Sequence, residues 1–319
     1  MNPLKTMKKS YKQIGNKIVI FSSIMLGSLL ALPALADEKS KPFKVEGSLG
    51  TQYDSNITVE ELDVATSKSD MALLLSADVD YKRALSKKIN LNTGYSFSQS
   101  LHKDLDQFDR RTHLLSASIT YGFDSKTSAG MSFNYADSAL DGDGFMSLTR
   151  ISPFASHYIS KKIFIRPALA LTDKRFDGQD NRDVDALSMN VDLYYFIDGP
   201  KNYLITGYKY TKENADSSAF DYDGHQLKLR WIKRLNLMNM QNKLRLGWRF
   251  ETRDYDDISS AGGRIRDDTR HRLSADLEIP LQKQTSILLE YEYRDYQSNL
   301  DSADFNEHLA TVRVQHRIF

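Results

Sequence analysis

The sequence of 319 residues contains no cysteine, so neither a disulfide nor a lipid-modified cysteine contributes to the protein. An excess of one charge is also missing, because 43 Lys and Arg residues face 42 Asp and Glu residues. This balance does not suggest a nucleic-acid-binding surface.

Long hydrophobic runs are missing after the N-terminus. The apolar run Ile18–Leu30 follows five lysines and precedes Ala34-Leu35-Ala36 and Asp37. It is shorter than the roughly 20 residues of a spanning helix. Residues 1–36 are therefore predicted to be a signal peptide, and residues 37–42 a short periplasmic segment. The remaining chain holds 38 basic and 42 acidic residues, and its mean hydropathy, −0.49 for the whole sequence, excludes a helical membrane protein.

The sequence does contain many segments with a two-residue alternation. In Lys243–Arg253, Leu244, Leu246, Trp248 and Phe250 alternate with charged residues and glycine. Side chains alternate across a strand, so this segment has one apolar face and one polar face. Fourteen such segments follow one another across residues 43–319. The pattern predicts an all-β, 14-stranded antiparallel up-and-down transmembrane β-barrel. The competing fold, a soluble periplasmic sandwich, would need shorter strands in two layers.

The connections between these segments alternate in length. Long, acidic connections are predicted at 55–70, 101–110, 137–144, 173–183, 213–224, 254–268 and 296–304. The other connections are short, with 235–242 somewhat longer. Outer-membrane barrels have short periplasmic turns and longer external loops, so both termini are predicted to lie in the periplasm.

Aromatic residues lie near the strand ends on the apolar face, where they would form girdles at the membrane interfaces. They are Tyr53, Tyr81, Tyr95, Phe97, Tyr121, Phe123, Tyr208, Tyr210, Trp231, Trp248, Phe250, Tyr291 and Tyr293.

The inward-facing charges are the candidate functional residues. The candidate lumen and selectivity residues are Lys228, Arg230, Arg245, Arg249, Arg272, Asp276, Glu290 and Glu292, with Lys243 and Glu278 beside them. Opposite charges on neighbouring strands can form ion pairs that stabilise the wall. The same charges can instead set up a transverse field in a pore, and both interpretations can hold together. Fourteen strands fall between a filled barrel and an open one. Residues 37–42 are too few to form a plug, so only loops could block the lumen, with 55–70 and 254–268 as the candidates.

No catalytic or metal-binding pattern is evident. His113 is followed by Ser116 and Ser118, but neighbours of this kind arise by chance in a serine-rich chain. The Asp-rich loops lack the full spacing of a calcium-binding loop. We therefore expect neither enzymatic activity nor a cofactor.

Three stretches resemble the barrels of surface lipoprotein assembly modifiers and related exopolysaccharide-export and porin barrels. They are Tyr53-Asp54-Ser55-Asn56, Tyr293-Arg294-Asp295-Tyr296-Gln297-Ser298-Asn299 and the terminal strand ending in Phe319. The chain departs from this group in lacking the helical-repeat periplasmic domain. In addition, the apolar residues of the last strand stand at alternate, even-numbered positions: Val312, Val314 and Ile318. Phe319, the expected terminal assembly signal, stands at an odd-numbered position and would therefore point to the opposite face. Either a bulge near His316 resets the phase or Phe319 lies at the periplasmic rim.

The sequence favours a passive outer-membrane channel for small polar solutes. An export or assembly barrel that passes exopolysaccharide or a surface protein with periplasmic partners is the alternative, and an adhesive barrel is a third. The expected partners are outer-membrane lipid and lipopolysaccharide, the barrel-assembly machinery and periplasmic chaperones, and, for the export role, export partners. No nucleic acid is expected.

Overall fold

The computed structural model describes residues 42–237, 239–258 and 263–318. The predicted signal peptide and Phe319 lie outside these residues. The strands are β1 Phe43–Asp54, β2 Thr58–Val59, β3 Val64–Ala65, β4 Asp70–Ala84, β5 Ile89–His102, β6 Arg110–Gly122, β7 Thr127–Leu140, β8 Asp143–Tyr158, β9 Ile163–Phe176, β10 Val184–Asp198, β11 Asn202–Ala215, β12 Tyr222–Leu237, β13 Met240–Ile258, β14 Ile265–Pro280, β15 Thr285–Ser298 and β16 Phe305–Arg317. The 3₁₀ turns are Glu60–Leu62, Asp106–Phe108, Asp180–Arg182 and Ser218–Phe220.

Fourteen of these strands form one closed antiparallel barrel. β1 pairs with β4 on one side and with β16 on the other, and every other barrel strand pairs with its neighbours in the sequence. The small strands β2 and β3 pair only with each other. The predicted barrel and strand count are confirmed, and the two-layer sandwich is excluded.

The outer face of the barrel is apolar. Leu171 and Val312 each expose half or more of their surface, and their inward neighbours in the strands are polar or small. Tyr53, Tyr95 and Tyr291 are also exposed on this face, as a girdle at the membrane interface requires. No described helix has both the length and the apolar character needed to cross a membrane.

The last strand pairs without interruption. β16 keeps one register with β1 up to Arg317 and with β15 up to His316. The first of the two alternatives, a bulge near His316, is therefore excluded, because a bulge would shift the register there. Val312, Val314 and Ile318 are half exposed, so the apolar phase faces lipid to the end of the described strand.

Several predicted loops are shorter because the strands extend beyond the apolar band. Only Asp141 and Gly142, both at positive φ, separate β7 from β8, where a loop spanning 137–144 was expected. β13 likewise runs to Ile258 and β14 starts at Ile265, so the predicted loop 254–268 is mostly strand. The connection 235–242 is also short, since β12 ends at Leu237 and β13 begins at Met240.

The acidic residues of three outer loops have a structural role. Each loop contains a 3₁₀ turn followed by an aspartate, and that aspartate accepts a hydrogen bond from a backbone N–H at the end of the preceding strand. The pairs are Asp109 with His102, Asp183 with Phe176, and Asp221 with Ala215. Side-chain bonds of this kind stabilise turns, which explains part of the acidic composition without a metal. No cluster of three or more potential metal ligands occurs in the described residues.

Candidate functional site

The loop between β1 and β4, residues 55–69, folds into the barrel and is called L1 here. It forms a small hairpin in which β2 and β3 flank the turn Glu60–Leu62, and Asp63 closes that turn in the left-handed conformation. Ile57, Thr58 and Val59 have no exposed surface. Apolar side chains buried inside a barrel imply that L1 is packed against the inner wall and not extended into solvent.

Glu60 and Thr58 attach L1 to β14, β15 and β16. A carboxylate oxygen of Glu60 lies 2.8 Å from Arg272 and 3.2 Å from Arg294. The other carboxylate oxygen accepts a hydrogen bond from Tyr296. The hydroxyl of Thr58 donates to Glu307. Arg294 and Glu307 are completely buried and lie 2.8 Å apart.

The other side of L1 contacts the opposite part of the barrel. Val59 packs in a cluster with Leu140, Phe145, Met146 and Phe176, from β7, β8 and β9, and Leu62 and Val64 pack against this cluster. In the ring of strands, β8 lies almost diametrically across from β14. L1 therefore spans the lumen at its long-loop end.

Asp63 joins the two sides. Its carboxylate lies 2.7 Å from Arg266, on β14, and 3.1 Å from Arg182, in the connection between β9 and β10. Arg182 also donates to the carbonyl of Glu61 and stacks 4.0 Å above the ring of Phe220. Two arginines from opposite sides thus hold the tip of L1.

The carboxyl groups of L1 differ in their electrostatic environment. Burial acts to raise the pKa of Glu60, but the guanidinium groups of Arg272 and Arg294 outweigh burial and hold this pKa below its usual value. Burial likewise opposes ionisation of Asp63, and Arg266 and Arg182 lower its pKa overall. In contrast, burial raises the pKa of Glu61, because the charge of Arg110 compensates for it only in part.

Glu61→Gln is expected to stabilise L1 in its inserted position at pH 7. A raised pKa means that the inserted loop favours the neutral form of Glu61. The packing of L1 in the barrel therefore weakens as the pH rises from the ordinary pKa of 4.5 through the raised pKa of the folded protein. One oxygen of Glu61 is buried without a hydrogen-bond partner in the described chain. The amides of Ile57 and Thr66, which are bonded within the L1 hairpin, should exchange hydrogen more slowly in the variant. Faster exchange would contradict this assignment.

Below L1 lies a cavity of about 480 Å³, called the main cavity here. Six predicted site residues line it: Lys228, Arg230, Arg245, Arg249, Arg272 and Glu292. Asp276 and Glu290 lie outside its lining; they are opposite each other on β14 and β15, and Glu290 pairs with Arg313 at 2.9 Å. The structure therefore brings the basic candidates together in the main cavity, whereas these two carboxylates lie outside its lining, with Asp276 directly opposite Arg245 on β13.

Part of the predicted ion pairing is present. Arg245 pairs with Glu278 across β13 and β14. Lys228 pairs with Asp192 at 2.7 Å, although β11 lies between their strands. Gly207 is the residue of β11 between them, and a Cβ at this position would lie 2.4 Å from Asp192 Oδ1 and 2.6 Å from Lys228 Cε. Glycine at position 207 therefore leaves room for this ion pair, and a larger residue would make the ends of both side chains move.

Gly207→Ala is expected to displace the Lys228–Asp192 pair and to lower barrel stability by about 1 kcal/mol, because the added methyl moves the ends of both side chains and the lysine is partly exposed. The midpoint of the heat-induced gel-mobility shift should fall. Gly47→Ala is the control, since its Cβ would have no neighbour closer than 3.8 Å. Equal midpoints for the two variants would show that Gly207 has no such role.

Sequence reasoning missed three basic residues of the main cavity, Arg150, Arg166 and Lys209. None of the three has another charged residue at the inward position immediately before or after it in its strand, so no local cluster of charges marked it. It also missed the inward aromatic cluster of Phe164, Tyr194 and Phe196, with Tyr158 and Tyr203 beside it, near the short-turn end. β8 looked poorly patterned because its inward positions carry Met146, Phe154 and Tyr158, which pack inside the barrel.

The serine and histidine considered for catalysis do not meet. His113 lies on the outer face, where its Nδ1 is 2.8 Å from the hydroxyl of Tyr95. Ser116 follows at an inward position and bonds to the carbonyl of Gly94. Residues an odd number apart in one strand point to opposite faces, so this pair cannot share a proton.

Residues 45–318 match the family described as surface lipoprotein assembly modifier. The chain belongs to this family. The match covers every barrel strand apart from the first two residues of β1, and the protein is an outer-membrane β-barrel. No curated protein sequence matches the chain significantly.

Solved outer-membrane barrels are similar in fold. An anion-selective porin from Comamonas acidovorans aligns with 11% identity and a TM-score of 0.50, over 86% of this chain and 99% of the porin. OmpT of Vibrio cholerae, with loop L8 deleted, aligns with 12% identity and a TM-score of 0.49, over 86% and 98%. OccAB3 of Acinetobacter baumannii aligns with 8% identity and a TM-score of 0.46, over 86% and 99%. At these identities the likeness concerns the fold alone.

Proposed function

We propose that the protein is an outer-membrane channel for small polar solutes and that L1 closes its outer mouth at rest. The observation that carries this proposal is a series of adjoining cavities inside the barrel. The main cavity adjoins cavities of about 290 and 230 Å³, and Arg150 lines all three. Charged and hydroxylated side chains dominate the lining of the first two, as in a water-filled lumen.

The contacts of L1 support closure and not a permanent plug. They consist mainly of ion pairs and one apolar cluster within a single 15-residue loop. Such a loop can move as a unit on the microsecond to millisecond scale. The charges of the lumen and of the loop would then control which solutes enter.

The test is single-channel conductance of the refolded barrel in a planar bilayer, together with sugar and amino-acid uptake by proteoliposomes that contain only this protein. We expect brief openings separated by long closed intervals. A tight preparation that carries no current at any voltage and takes up no solute would refute the proposal.

Assembly of a surface lipoprotein is the second candidate function, and family membership favours it. In this role the barrel would act with periplasmic partners, and L1 would move aside for a polypeptide. Barrel-assembly machinery, periplasmic chaperones and lipopolysaccharide would be partners in either role. Surface labelling of a lipoprotein co-expressed with the barrel separates the candidates, since a solute channel alone would not change its exposure.

A further inference from the structure

The main cavity has a large excess of positive charge. Its lining includes nine basic residues but only two carboxylates, Asp192 and Glu292. The basic residues are Arg150, Arg166, Lys209, Lys228, Arg230, Lys243, Arg245, Arg249 and Arg272.

The two carboxylates are already engaged. Asp192 pairs with Lys228, and Glu292 lies 2.6 Å from Arg294 and 3.6 Å from Arg272. Glu278, outside the lining, compensates for Arg245. The nearby protein carboxylates therefore neutralise only part of the positive charge.

Four of the cations form no ion pair with any described residue. Arg150 donates to the hydroxyl of Thr172, and Arg166 stacks 4.2 Å from the ring centre of Phe154. Lys209 and Lys243 have neither a hydrogen bond nor an ion pair among the described side chains. All four line the main cavity, so their charges act on whatever occupies it.

The remaining lining suits an oxygen-rich ligand. Ser132, Asn134, Ser152, Ser188 and Asn190 contribute hydroxyl and amide groups from β7, β8 and β10. Tyr194, Ile205 and Ile232 add apolar surface toward the short-turn end. Low-polarity walls strengthen the attraction between a buried cation and an anion.

We propose that the main cavity binds a small solute that carries a carboxylate or phosphate group, so that the channel prefers anions. Guanidinium groups bind the oxygens of both chemical groups, often with two parallel hydrogen bonds. A cavity of about 480 Å³ falls within the usual range for small-molecule sites. The inference deepens the proposed function, because the anion would enter through the barrel.

Binding is measured first, since it does not require current to flow. The detergent-folded barrel is titrated calorimetrically at low salt with inorganic phosphate and, separately, with citrate. We expect saturable binding of at least one of the two that weakens as salt is added, because screening reduces the attraction. Lys209→Gln with Arg166→Gln should weaken it about tenfold or more, since neither cation forms an ion pair with a carboxylate among the described residues.

The control variant is Lys87→Gln with Lys161→Gln, which removes the same charge from exposed short turns. Its affinity should equal that of the native protein. Equal weakening in both double variants would overturn the assignment to the main cavity. The absence of saturable binding of either probe by the native barrel would overturn the inference itself.

The second readout is the reversal potential in a potassium chloride gradient. We expect the native channel to favour chloride, and the Lys209→Gln, Arg166→Gln variant to lose about threefold or more of that preference. A native channel that favours potassium would refute the inference and leave the proposed channel standing. If no current flows, the channel proposal fails, and the binding titration alone decides whether the anion site exists.

Discussion

Glu60→Gln combined with Asp63→Asn is expected to turn a mostly closed barrel into a mostly open one. The two substitutions remove the carboxylates that bind Arg272, Arg294, Arg266 and Arg182 across the lumen. Removing one partner of a buried ion pair, while the other stays buried, costs about 3–5 kcal/mol of stability. A loss of even about 3 kcal/mol changes the ratio of open to closed states by roughly a hundredfold.

Single-channel recording measures this change as open probability. The matched control is Asp104→Asn with Asp106→Asn, which removes two exposed carboxylates from the connection between β5 and β6. The control should keep the native open probability. Unchanged gating in the Glu60, Asp63 variant would show that these ion pairs do not hold L1 in place.

The same contacts predict the response of the native channel to acid. Because the pKa values of Glu60 and Asp63 are lowered in the folded loop, their stabilisation is complete above their ordinary values of 4.5 and 3.8. It is lost only as the pH falls through the lowered values. The two groups should therefore keep L1 closed through mildly acidic conditions and release it in stronger acid.

Arg294→Met should cause the largest loss of barrel stability, about 3–5 kcal/mol. The Arg294 side chain has no exposed surface and lies within 3.2 Å of Glu60, Glu292 and Glu307. Methionine fills similar volume but leaves Glu307, itself completely buried, without its cation. The midpoint of the heat-induced gel-mobility shift should fall accordingly.

Arg313→Met is the comparison for this effect. Arg313 pairs with Glu290 at 2.9 Å, but both side chains are partly exposed, and exposed pairs contribute about 0–1 kcal/mol. Adding Glu307→Gln to Arg294→Met should restore part of the lost stability, because it removes the uncompensated charge. Equal midpoints for the Arg294 and Arg313 variants would contradict this account of the buried cluster.

Much of the fold could be predicted because a lipid-facing barrel leaves a local signal. Leu246 and Trp248 alternate with Arg245 and Arg249, and each face is specified by adjacent residues of one strand. The strand ends were less predictable. Asp254 and Asp268 look like loop residues, yet β13 and β14 extend through them, because polar strands can continue above the membrane and still pair.

The site was only partly predictable because its contacts join distant parts of the chain. The candidates on β12–β14 occur on adjacent strands, so their basic stripe was visible. Glu60, in contrast, meets Arg272 at a sequence separation of 212, and nothing in the local sequence of L1 marks it as the residue that crosses the lumen. Lys209 was missed for the same reason, since the closed ring brings it to Arg249 and Arg150.

The most direct test of the account is the reaction of one introduced thiol inside the lumen. The native chain has no cysteine, so Ser188→Cys places a unique, conservative probe in the wall of the main cavity. Intact cells are treated with a membrane-impermeant thiol reagent, in this variant and in the same variant carrying Glu60→Gln and Asp63→Asn. The account predicts slow labelling with native L1 and labelling about tenfold faster or more once its ion pairs are removed. Equally fast labelling in both proteins would show that L1 does not close the outer mouth.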